Sequence, residues 1–504
     1  MSNKLLKIDK DDNVAVLLES MSSGSKIEFA DKVFEIRDDL PLGHKISLVD
    51  IPKGEKIIKY GFTIGKALED ISEGDWVHSH NIQTALEGKQ DYTYNPSFEE
   101  VAPLESKGNI PTFKGYHRKD GQVGIRNEIW LIPTVGCINK PVEKMALLAE
   151  EKFSKEIAEG KVDGFHAFPH PYGCSQLGGD LLNTQKILAG LVKHPNAAAV
   201  IVIGLGCENN ILEDFQEIIG DYDGERVKFL KLQDVDNGIE IAMDQLKGLV
   251  DYAAKFEQGD LPVSELKIGL KCGGSDGFSG ITGNPLLGRI SNKLETLGGT
   301  TILTEVPEMF GAETILMNRA QDRETFEGIV KLVNDFKDYF ISNDQPVYEN
   351  PSPGNKDGGI TTLEEKSLGC TQKGGTSIVR GVNFYGEQVR GKGLQLLESP
   401  GNDLVSTTAL TAAGVHLILF TTGRGTPFGA PVPTVKISTN TPLYEKKQNW
   451  IDFNAGKLLE GSSMEELAEE FFNYIIDLAS KNIKTKNEEN DYREIAIFKT
   501  GVTL

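Results

Sequence analysis

The sequence has few cysteines and no long apolar run. Five Cys occur in 504 residues, an odd number without a C-x-x-C pair: Cys137, Cys174, Cys207, Cys272 and Cys370. This differs from the dense framework of secreted disulfide proteins and predicts a reducing, cytoplasmic location. The N-terminus carries charges every few residues, unlike a signal peptide. Apolar runs such as 197–205 fall far short of the roughly 20 residues that span a bilayer, so we expect neither secretion nor membrane insertion.

Positive charge is also scarce. The chain has 53 Lys and Arg against 74 Asp and Glu, a net charge of −21. A field of that sign disfavours binding to nucleic acid or to an acidic membrane. A small anionic substrate remains compatible, because a few local cations, backbone N–H groups or a metal ion can bind it. Apolar residues at 39 % and charged residues at 25 % are ordinary for a globular protein and exclude disorder.

The pattern of strands and turns predicts an α/β fold in several parts. Residues 1–92 contain short strands with frequent turn signals and predict a small N-terminal β-rich module. Residues 93–114 have the composition of a linker. Beyond them, short apolar strands alternate with Gly-rich turns and amphipathic helices over 115–262 and 263–504. This predicts a two-part α/β catalytic region with largely parallel sheets, whether as two domains or as one continuous sheet.

The Gly-rich turns at the strand ends are where ligands of parallel sheets usually bind. Neither GLGCENN nor CGGSDGFSG is a dinucleotide fingerprint or a P-loop, so cofactor-dependent hydride transfer is disfavoured. The charged residues in or beside these turns are candidate acids, bases and anion ligands, and a structural or solvated role is the alternative for each: Glu208, Lys271, Asp276, Glu305, Glu308, Lys373 and Arg424.

Histidines and cysteines form further candidate groups. If WVHSH is a strand, His78 and His80 lie on one face and could share a cation with His44 from a nearby turn; the alternative is a solvated strand end. His170 with Cys174 could provide a general base, or it is a satisfied buried histidine. Four Cys directly follow Gly. They are small residues at strand-to-loop corners unless they converge as metal ligands or as a catalytic thiol.

One arginine stands close to the linker. Arg126, together with Arg118, could neutralise a substrate carboxylate at the interdomain face, because guanidinium offers a two-point fit. The alternative is a basic turn that leads into the first α/β strand.

Long contiguous stretches of the chain, in order, resemble the altronate/galactarate dehydratase family over nearly the whole length: GHKISLVDI, KYGFTIGKAL, WVHSHN, VGIRNE, PTVGC, YGCSQLG, GLGCENN, CGGSDGFSGIT, GGTTILTEVPEMFGAE, YENPSPGNK, GGITTLEEKSLGCTQK, SPGND, TGRGTPFG, PTVKI and IAIFKTGVTL. The resemblance implies that the N-terminal module is of the SAF type. It also implies a hydro-lyase of hexuronate catabolism that converts D-altronate to 2-dehydro-3-deoxy-D-gluconate with Fe²⁺ or Mn²⁺.

The reaction that the resemblance implies suggests a role for each group of candidate residues. A divalent cation would stabilise the charge that forms when a proton leaves the carbon beside a carboxylate. We expect His44, His78 and His80 to bind the metal, with His80 the weakest of the three. We expect catalytic roles for His170, Cys174, Glu208, Lys271 and Asp276, and substrate binding by Arg126, Ser275, Lys373 and Arg424. An alternative centre gathers His170, Glu208 and four cysteines (Cys174, Cys207, Cys272 and Cys370) at strand ends.

Other functions stay open beside this one. Within the family the alternative substrate is galactarate, or another sugar acid; a sulfolactate sulfo-lyase is disfavoured because there the module and the catalytic region resemble separate chains. A sugar-acid-binding protein without turnover is the alternative from another class. The expected partner is a small sugar acid, with no nucleic acid or membrane, and the chain could form a homo-oligomer.

Overall fold

The computed structural model describes residues 4–30, 32–86, 88–99 and 110–504. Its N-terminal part is a β module, as predicted, with antiparallel sheets in the orders β1-β2-β5-β8, β3-β4 and β6-β7-β9. The strands of this module are β1 Leu5–Leu6, β2 Val14–Leu17, β3 Lys26–Phe29, β4 Lys32–Glu35, β5 Lys45–Ser47, β6 Lys56–Lys59, β7 Phe62–Ala67, β8 Trp76–Val77 and β9 Ile82–Gln83.

Strand β8 ends before the histidines that the WVHSH pattern placed on a strand. The Asn81 side chain accepts a hydrogen bond from the His78 amide at 2.9 Å, and the Asn81 amide donates to the His78 carbonyl at 3.0 Å. These bonds close a turn, so the expected same-face arrangement of His78 and His80 on a strand is wrong. Asn is favoured in turns because its short side chain replaces a backbone partner.

The linker predicted over 93–114 falls partly outside the described residues, because 100–109 are not described. Within the described part, Tyr94 Oη donates to the Ala320 carbonyl at 2.8 Å, and the Ser97 amide donates to the Asn318 carbonyl at 2.8 Å. This segment therefore lies along the C-terminal region. The next strand starts at Thr112, two residues before the predicted end of the linker.

The middle region has the predicted strand–turn–helix order. Its main sheet, in the order β13-β12-β14-β15, is parallel, and a small antiparallel sheet has the order β11-β10-β16. The elements are β10 Thr112–His117, β11 Val123–Gly124, β12 Glu128–Pro133, α1 Asn139–Lys152, α2 Ser154–Ala158, β13 Phe165–Ala167, α3 Gly178–Val192, β14 Ala197–Gly204, α4 Leu212–Ile219, β15 Val227–Lys231, α5 Gly238–Ala253 and β16 Gln258–Pro262.

The C-terminal region has a parallel sheet of seven strands in the order β19-β20-β18-β17-β21-β22-β23. Its elements are β17 Lys267–Cys272, α6 Gly283–Thr296, β18 Thr300–Leu303, α7 Glu313–Met317, α8 Arg323–Ser342, α9 Pro353–Asp357, α10 Leu363–Thr371, β19 Val379–Asn383, β20 Gly393–Leu397, α11 Asp403–Ala412, β21 Leu417–Thr422, β22 Thr434–Ser438, α12 Thr441–Lys446, β23 Phe453–Asn454, α13 Met464–Ala479 and α14 Lys486–Glu489. The predicted α/β class is confirmed.

The two parallel sheets are separate but share one apolar core. Trp130 and Val200 from the middle sheet belong to the same buried cluster as Ile418 and Phe420 from the C-terminal sheet. The tail also crosses between them, since Arg493 Nη1 lies 2.9 Å from Glu128 Oε1. Burial of large side chains from both sheets favours one fixed arrangement over independent domains. No helix within the described ranges is long and apolar enough to cross a bilayer.

Arg126, expected to bind substrate, lies in this packed region instead. Its Nε and Nη2 atoms lie 2.7 and 3.1 Å from the two carboxylate oxygens of Glu488. Both side chains are buried. Arg118 is buried as well and donates to the Pro195 and Arg126 carbonyls. The structure gives these arginines a role in joining chain segments.

The Arg126–Glu488 pair predicts a specific acid sensitivity. Burial raises the pKa of Glu488, but the Arg126 charge and hydrogen bonds outweigh this effect and lower the pKa from 4.5 to about 2. A lowered folded-state pKa stabilises the fold above pH 4.5, and this stabilisation is lost as the pH falls towards 2. Glu488→Gln should therefore lower stability at neutral pH by about 3 kcal/mol. The thermal unfolding midpoints of the wild type and of Glu488→Gln should differ at pH 7 and converge in acid.

The exposed pair of Lys119 and Glu225 supplies the control for this experiment. Both side chains are largely exposed, so Glu225→Gln should change stability far less than Glu488→Gln does. A gap between wild type and Glu488→Gln that does not depend on pH would contradict the assigned ion pair.

Candidate active site between the N-terminal module and the C-terminal sheet

The N-terminal module is held on helix α10 by one buried carboxylate between two lysines. Glu365 lies 2.9 Å from Lys45 Nζ and 2.7 Å from Lys59 Nζ, and all three side chains are at most 1 % exposed. Thr361 donates to the same carboxylate through its amide and its hydroxyl, at 2.8 and 2.7 Å. Burial opposes the charged state, but the two ammonium groups outweigh it and hold the pKa of Glu365 well below its usual range.

The histidines of the module cap the end of a short helix. His44 Nε2 lies 3.2 Å from the Asp357 carbonyl at the end of α9, while its Nδ1 accepts from Trp76 Nε1 at 3.2 Å. His78 Nε2 lies 2.9 Å from the Lys356 carbonyl. Each of these Nε2 atoms therefore carries a hydrogen towards a carbonyl. Burial lowers the pKa of His44 to about 4 and also lowers that of His78, so both rings are neutral.

His80 is exposed and packs its ring beside Trp76, with ring centroids 5.4 Å apart. The three imidazoles thus do not converge as a set of ligands. Among the described residues, the acidic, thiol and imidazole groups whose ligand atoms lie within 4.8 Å of one another are Cys272, Glu308 and Cys370. The structure therefore favours a different metal site from the expected one.

This second site is a buried cluster at the carboxyl ends of β17 and β18, completed by α10 and the turn after it. Cys272 Sγ lies 3.3 Å from Cys370 Sγ and 3.3 Å from Glu308 Oε2, and Cys370 Sγ lies 3.1 Å from the same oxygen. Lys373 Nζ lies 3.0 Å from Cys272 Sγ and 2.8 Å from Glu305 Oε2. We call these five residues the thiol cluster.

Two further lysines balance the charge of the thiol cluster. Lys271 Nζ contacts Glu305 Oε1 and lies 2.8 Å from Asp403 Oδ1, and Lys366 Nζ lies 2.7 Å from Glu308 Oε1. Buried charges persist only when they are paired in this way. Three ammonium groups then face three carboxylates. The hydrogen bond to Cys272 and burial raise the pKa of Cys370, so this thiol keeps its proton.

The donor set of the thiol cluster fits a divalent cation. Binding through Cys272, Glu308 and Cys370 would release thiol protons, and this release would offset positive charge that the ion brings into the pocket. Sulfur and carboxylate ligands together suit Fe²⁺ better than Mn²⁺, which prefers oxygen.

A small cavity lies beside the thiol cluster, between the module and the C-terminal sheet. Its volume is about 10 Å³, room for one water-sized group. Ser275, which was expected to bind substrate, lines it, and the buried Ser275 Oγ has no hydrogen-bond partner among the described residues. The other lining residues come from the module, the loop after β17, the start of α6, the segment before α10 and α10 itself: Lys59, Tyr60, Asp276, Gly277, Ser279, Gly280, Asn284, Ile360, Glu365, Lys366, Gly369 and Cys370.

Tyr60 brings the module into this cavity in a strained conformation. Its φ is 61°, a left-handed value that is uncommon outside glycine. A Cβ atom on Gly280 would lie 2.5 Å from Tyr60 Oη, so only glycine leaves room there. Strained backbone persists where the surroundings enforce it and often marks a functional position. Burial raises the pKa of the Tyr60 hydroxyl, which keeps its proton at neutral pH.

Asp276 lines the cavity, but its carboxylate is engaged. It accepts hydrogen bonds from Thr439 Oγ1 at 2.9 Å, Ser279 Oγ at 3.0 Å and Asn440 Nδ2 at 3.1 Å. Burial outweighs these bonds and raises the pKa. In this geometry Asp276 fastens the loop after β17. Two other candidates nearby, Lys271 and Lys373, belong to the charge network described above. Arg424 is exposed beside this loop, and its backbone amide donates to the Gly274 carbonyl at 3.0 Å.

The candidates of the middle region lie elsewhere, at the edge of the other parallel sheet. His170 is buried, with Nε2 2.8 Å from the Pro133 carbonyl and Nδ1 accepting from the Tyr172 amide at 3.2 Å. Burial lowers its pKa to about 4. Glu208 accepts from the Leu205 and Gly206 amides at 2.9 and 2.6 Å. Both ring nitrogens and the carboxylate are thus engaged in holding loops, whereas Cys174 is exposed.

The alternative centre of His170, Glu208 and four cysteines is therefore divided between two places. Cys272 and Cys370 are in the buried thiol cluster, and Cys174 and Cys207 are exposed on the middle sheet. The sequence analysis missed Lys45, Lys59, Tyr60 and Glu365. One signal was present, since Lys59 follows Ile57 at strand spacing and so shares its inward face.

The Glu365 ion pairs predict how the module is held. In Glu365→Gln, Lys45 and Lys59 would keep buried charge without a counter-charge, which costs about 3–5 kcal/mol. Amide hydrogen exchange should accelerate in β6 and β7, which face α10, and stay unchanged in β1 and β2.

Glu364→Gln is the matched control for that variant. Glu364 accepts hydrogen bonds from Thr84 Oγ1 and the Ala85 amide and faces no lysine among its described partners. Its substitution should therefore accelerate amide exchange in β6 and β7 less than Glu365→Gln does. Equal exchange in both variants would show that the Glu365 ion pairs do not hold the module.

Family models match most of the chain. The model described as D-galactarate/Altronate dehydratase, C-terminal, matches residues 263–503. The model of the D-galactarate dehydratase/Altronate hydrolase second domain matches 115–254, and the Altronate/galactarate dehydratase SAF domain matches 3–85.

Curated relatives match over nearly the full length. Altronate dehydratase of Bacillus subtilis (strain 168) is 53 % identical over 501 residues, 99 % of each chain. Altronate dehydratase of Escherichia coli (strain K12) is 52 % identical over 501 residues, also 99 % of each chain. Galactarate dehydratase (L-threo-forming) of the same organism is 31 % identical over 507 residues, 98 % of this chain and 96 % of that protein.

Proposed function

The chain belongs to the altronate/galactarate dehydratase family, and we propose that it is a hydro-lyase that converts D-altronate to 2-dehydro-3-deoxy-D-gluconate in hexuronate catabolism. The two relatives above 50 % identity are both altronate dehydratases, whereas the galactarate enzyme is 31 % identical. The structural observation that carries the proposal is the small cavity beside the thiol cluster, lined by a Ser275 hydroxyl that has no partner within the described ranges.

The residues around the cavity can bind and orient a sugar acid. Lys366 provides a cation for the substrate carboxylate at the cavity wall, and Ser275 Oγ can bond a hydroxyl group. Arg424, exposed beside the same loop, can bind the hydroxyl groups at the end of the sugar acid opposite its carboxylate. Because the cavity is much smaller than a six-carbon acid, the module must move outward for the substrate to enter and can then exclude water when it returns.

We further propose that Cys272, Glu308 and Cys370 hold Fe²⁺, or Mn²⁺ less readily. When bound, the ion would supply Lewis acidity that stabilises negative charge on the substrate carboxylate. The Tyr60 hydroxyl is placed to give its proton to the 3-hydroxyl, which leaves as water. Its raised pKa keeps the phenol protonated until this step. The two thiols must lose their protons to bind the ion, so metal affinity should fall in acid.

A cytoplasmic location fits the chemistry of this chain. All five cysteines are free, three of them exposed, and a reducing compartment keeps such thiols unoxidised. Self-association stays a prediction.

The substrate assignment predicts a metal-dependent assay result. The purified protein, kept without oxygen, should form a 2-keto-3-deoxy acid from D-altronate when Fe²⁺ or Mn²⁺ is present and should lose this activity with a chelator. Product from galactarate alone would change the substrate within the family. Altronate binding without product would instead favour a sugar-acid-binding protein.

The assignment of Tyr60 predicts a defect in turnover. Tyr60→Phe should lower kcat roughly 100-fold or more, in the range measured for loss of a general acid, and should remove the alkaline limb of the pH–rate profile. Tyr94→Phe is the matched control, because Tyr94 Oη bonds only the Ala320 carbonyl among its described partners. If the two variants lose equal activity with unchanged pH profiles, Tyr60 is a packing residue.

A further inference from the structure

Three glycine–cysteine corners lie together at one edge of the middle sheet. Cys137, Cys174 and Cys207 each come directly after a glycine in the loops that follow β12, β13 and β14. These strands are hydrogen-bonded neighbours in the order β13-β12-β14 and run parallel. The carboxyl ends of parallel neighbours share an edge, where ligands of such sheets bind.

The three loops are bonded directly to each other. The Gly136 amide donates to the Tyr172 carbonyl at 2.9 Å, which joins the Cys137 loop to the Cys174 loop. The Asn210 amide donates to the Gly173 carbonyl at 2.9 Å, which joins the Cys207 loop to the Cys174 loop. The loop of Cys174 is therefore held between the other two.

The glycines make this close approach possible. A Cβ atom on Gly173 would lie 1.9 Å from the Thr134 carbonyl oxygen, and one on Gly136 would lie 2.8 Å from the His170 carbonyl oxygen. Any larger residue would push the loops apart. His170 and Glu208 make buried hydrogen bonds to the same loops and so stabilise the edge that carries the cysteines.

The exposure of these thiols is unusual for structural cysteines. Free cysteine is among the most buried residue types, and a small residue that fills a corner is buried; yet all three of these thiols are exposed. The edge also collects the amino ends of helices α1, α3 and α4, which favour negative charge. Asn210 Oδ1, buried in the same loops, has no hydrogen-bond partner in the part of the chain that the structure describes. This arrangement suits anionic thiolates with a bound cation.

We propose that Cys137, Cys174 and Cys207 are three thiolate ligands of a second, thiophilic metal centre, with a remaining coordination position for a ligand from outside. Each thiol gives up its proton on binding. The same ligation serves a single ion such as Zn²⁺ or Fe²⁺, or one iron–sulfur cluster. Their ligand atoms do not form a group within 4.8 Å of one another, so a single ion requires rotation of the side chains, whereas a cluster spans a wider separation. The centre does not depend on the proposed reaction.

Thiol accessibility tests this centre on the full chain. A chromogenic aromatic disulfide should titrate three thiols in metal-free protein under anaerobic conditions, since Cys272 and Cys370 are buried. Zn²⁺ alone in one arm, and Fe²⁺ and Fe³⁺ with sulfide in the other, should reduce the reactive thiols from three to none, and a chelator should restore them in the zinc arm. Protection by Zn²⁺ assigns a single ion. Protection only with sulfide, with visible charge-transfer absorption, assigns a cluster.

Serine variants identify the ligands. In Cys174→Ser, protection of Cys137 and Cys207 should be lost in both arms, because two thiolates remain. Cys370→Ser is the matched control, since it removes a thiol from the other sheet and should leave the protection intact. Three thiols that stay reactive in both arms, or protection that survives in Cys174→Ser, would overturn the proposal.

Discussion

The site depends on the buried carboxylate of Glu365. It faces Lys45 and Lys59, both from the N-terminal module, while Glu365 itself belongs to helix α10 of the C-terminal region. A carboxylate in a dry interface is stable only beside matched cations. This requirement sets how the module sits on α10, and it places Tyr60, the residue after Lys59, against the loops that carry the thiol cluster.

Charge matching extends through the whole interface. Five lysines of the site, two from the module and three from the C-terminal region, face carboxylates in a region nearly without solvent. Removing any one partner would leave a buried charge. An anionic substrate or a cation can therefore enter only by replacing a charge or releasing protons, and this selects ligands by charge as well as by shape.

The sequence patterns succeeded where local residues decide the structure. The apolar strands before the Gly-rich turns, such as β14 and β17, and the amphipathic helix α13 form as predicted, because periodicity reports which face is buried. Prediction was wrong for the WVHSH segment, where Asn81 closes a turn. It assigned Arg126 to the substrate and missed its contact with Glu488, 362 residues away in the chain, since spacing carries no information about contacts at such separation.

The sequence alone determined the α/β class, the β module and the family, because these follow from local patterning and from long contiguous motifs. Only the tertiary structure decided which candidates meet. It separated the five cysteines into a buried pair and an exposed trio, and it turned His44 and His78 towards the carbonyls of α9. The physical reason is that a ligand site depends on distances of a few ångströms between residues remote in the chain, and these are set by how charged and apolar surfaces pack.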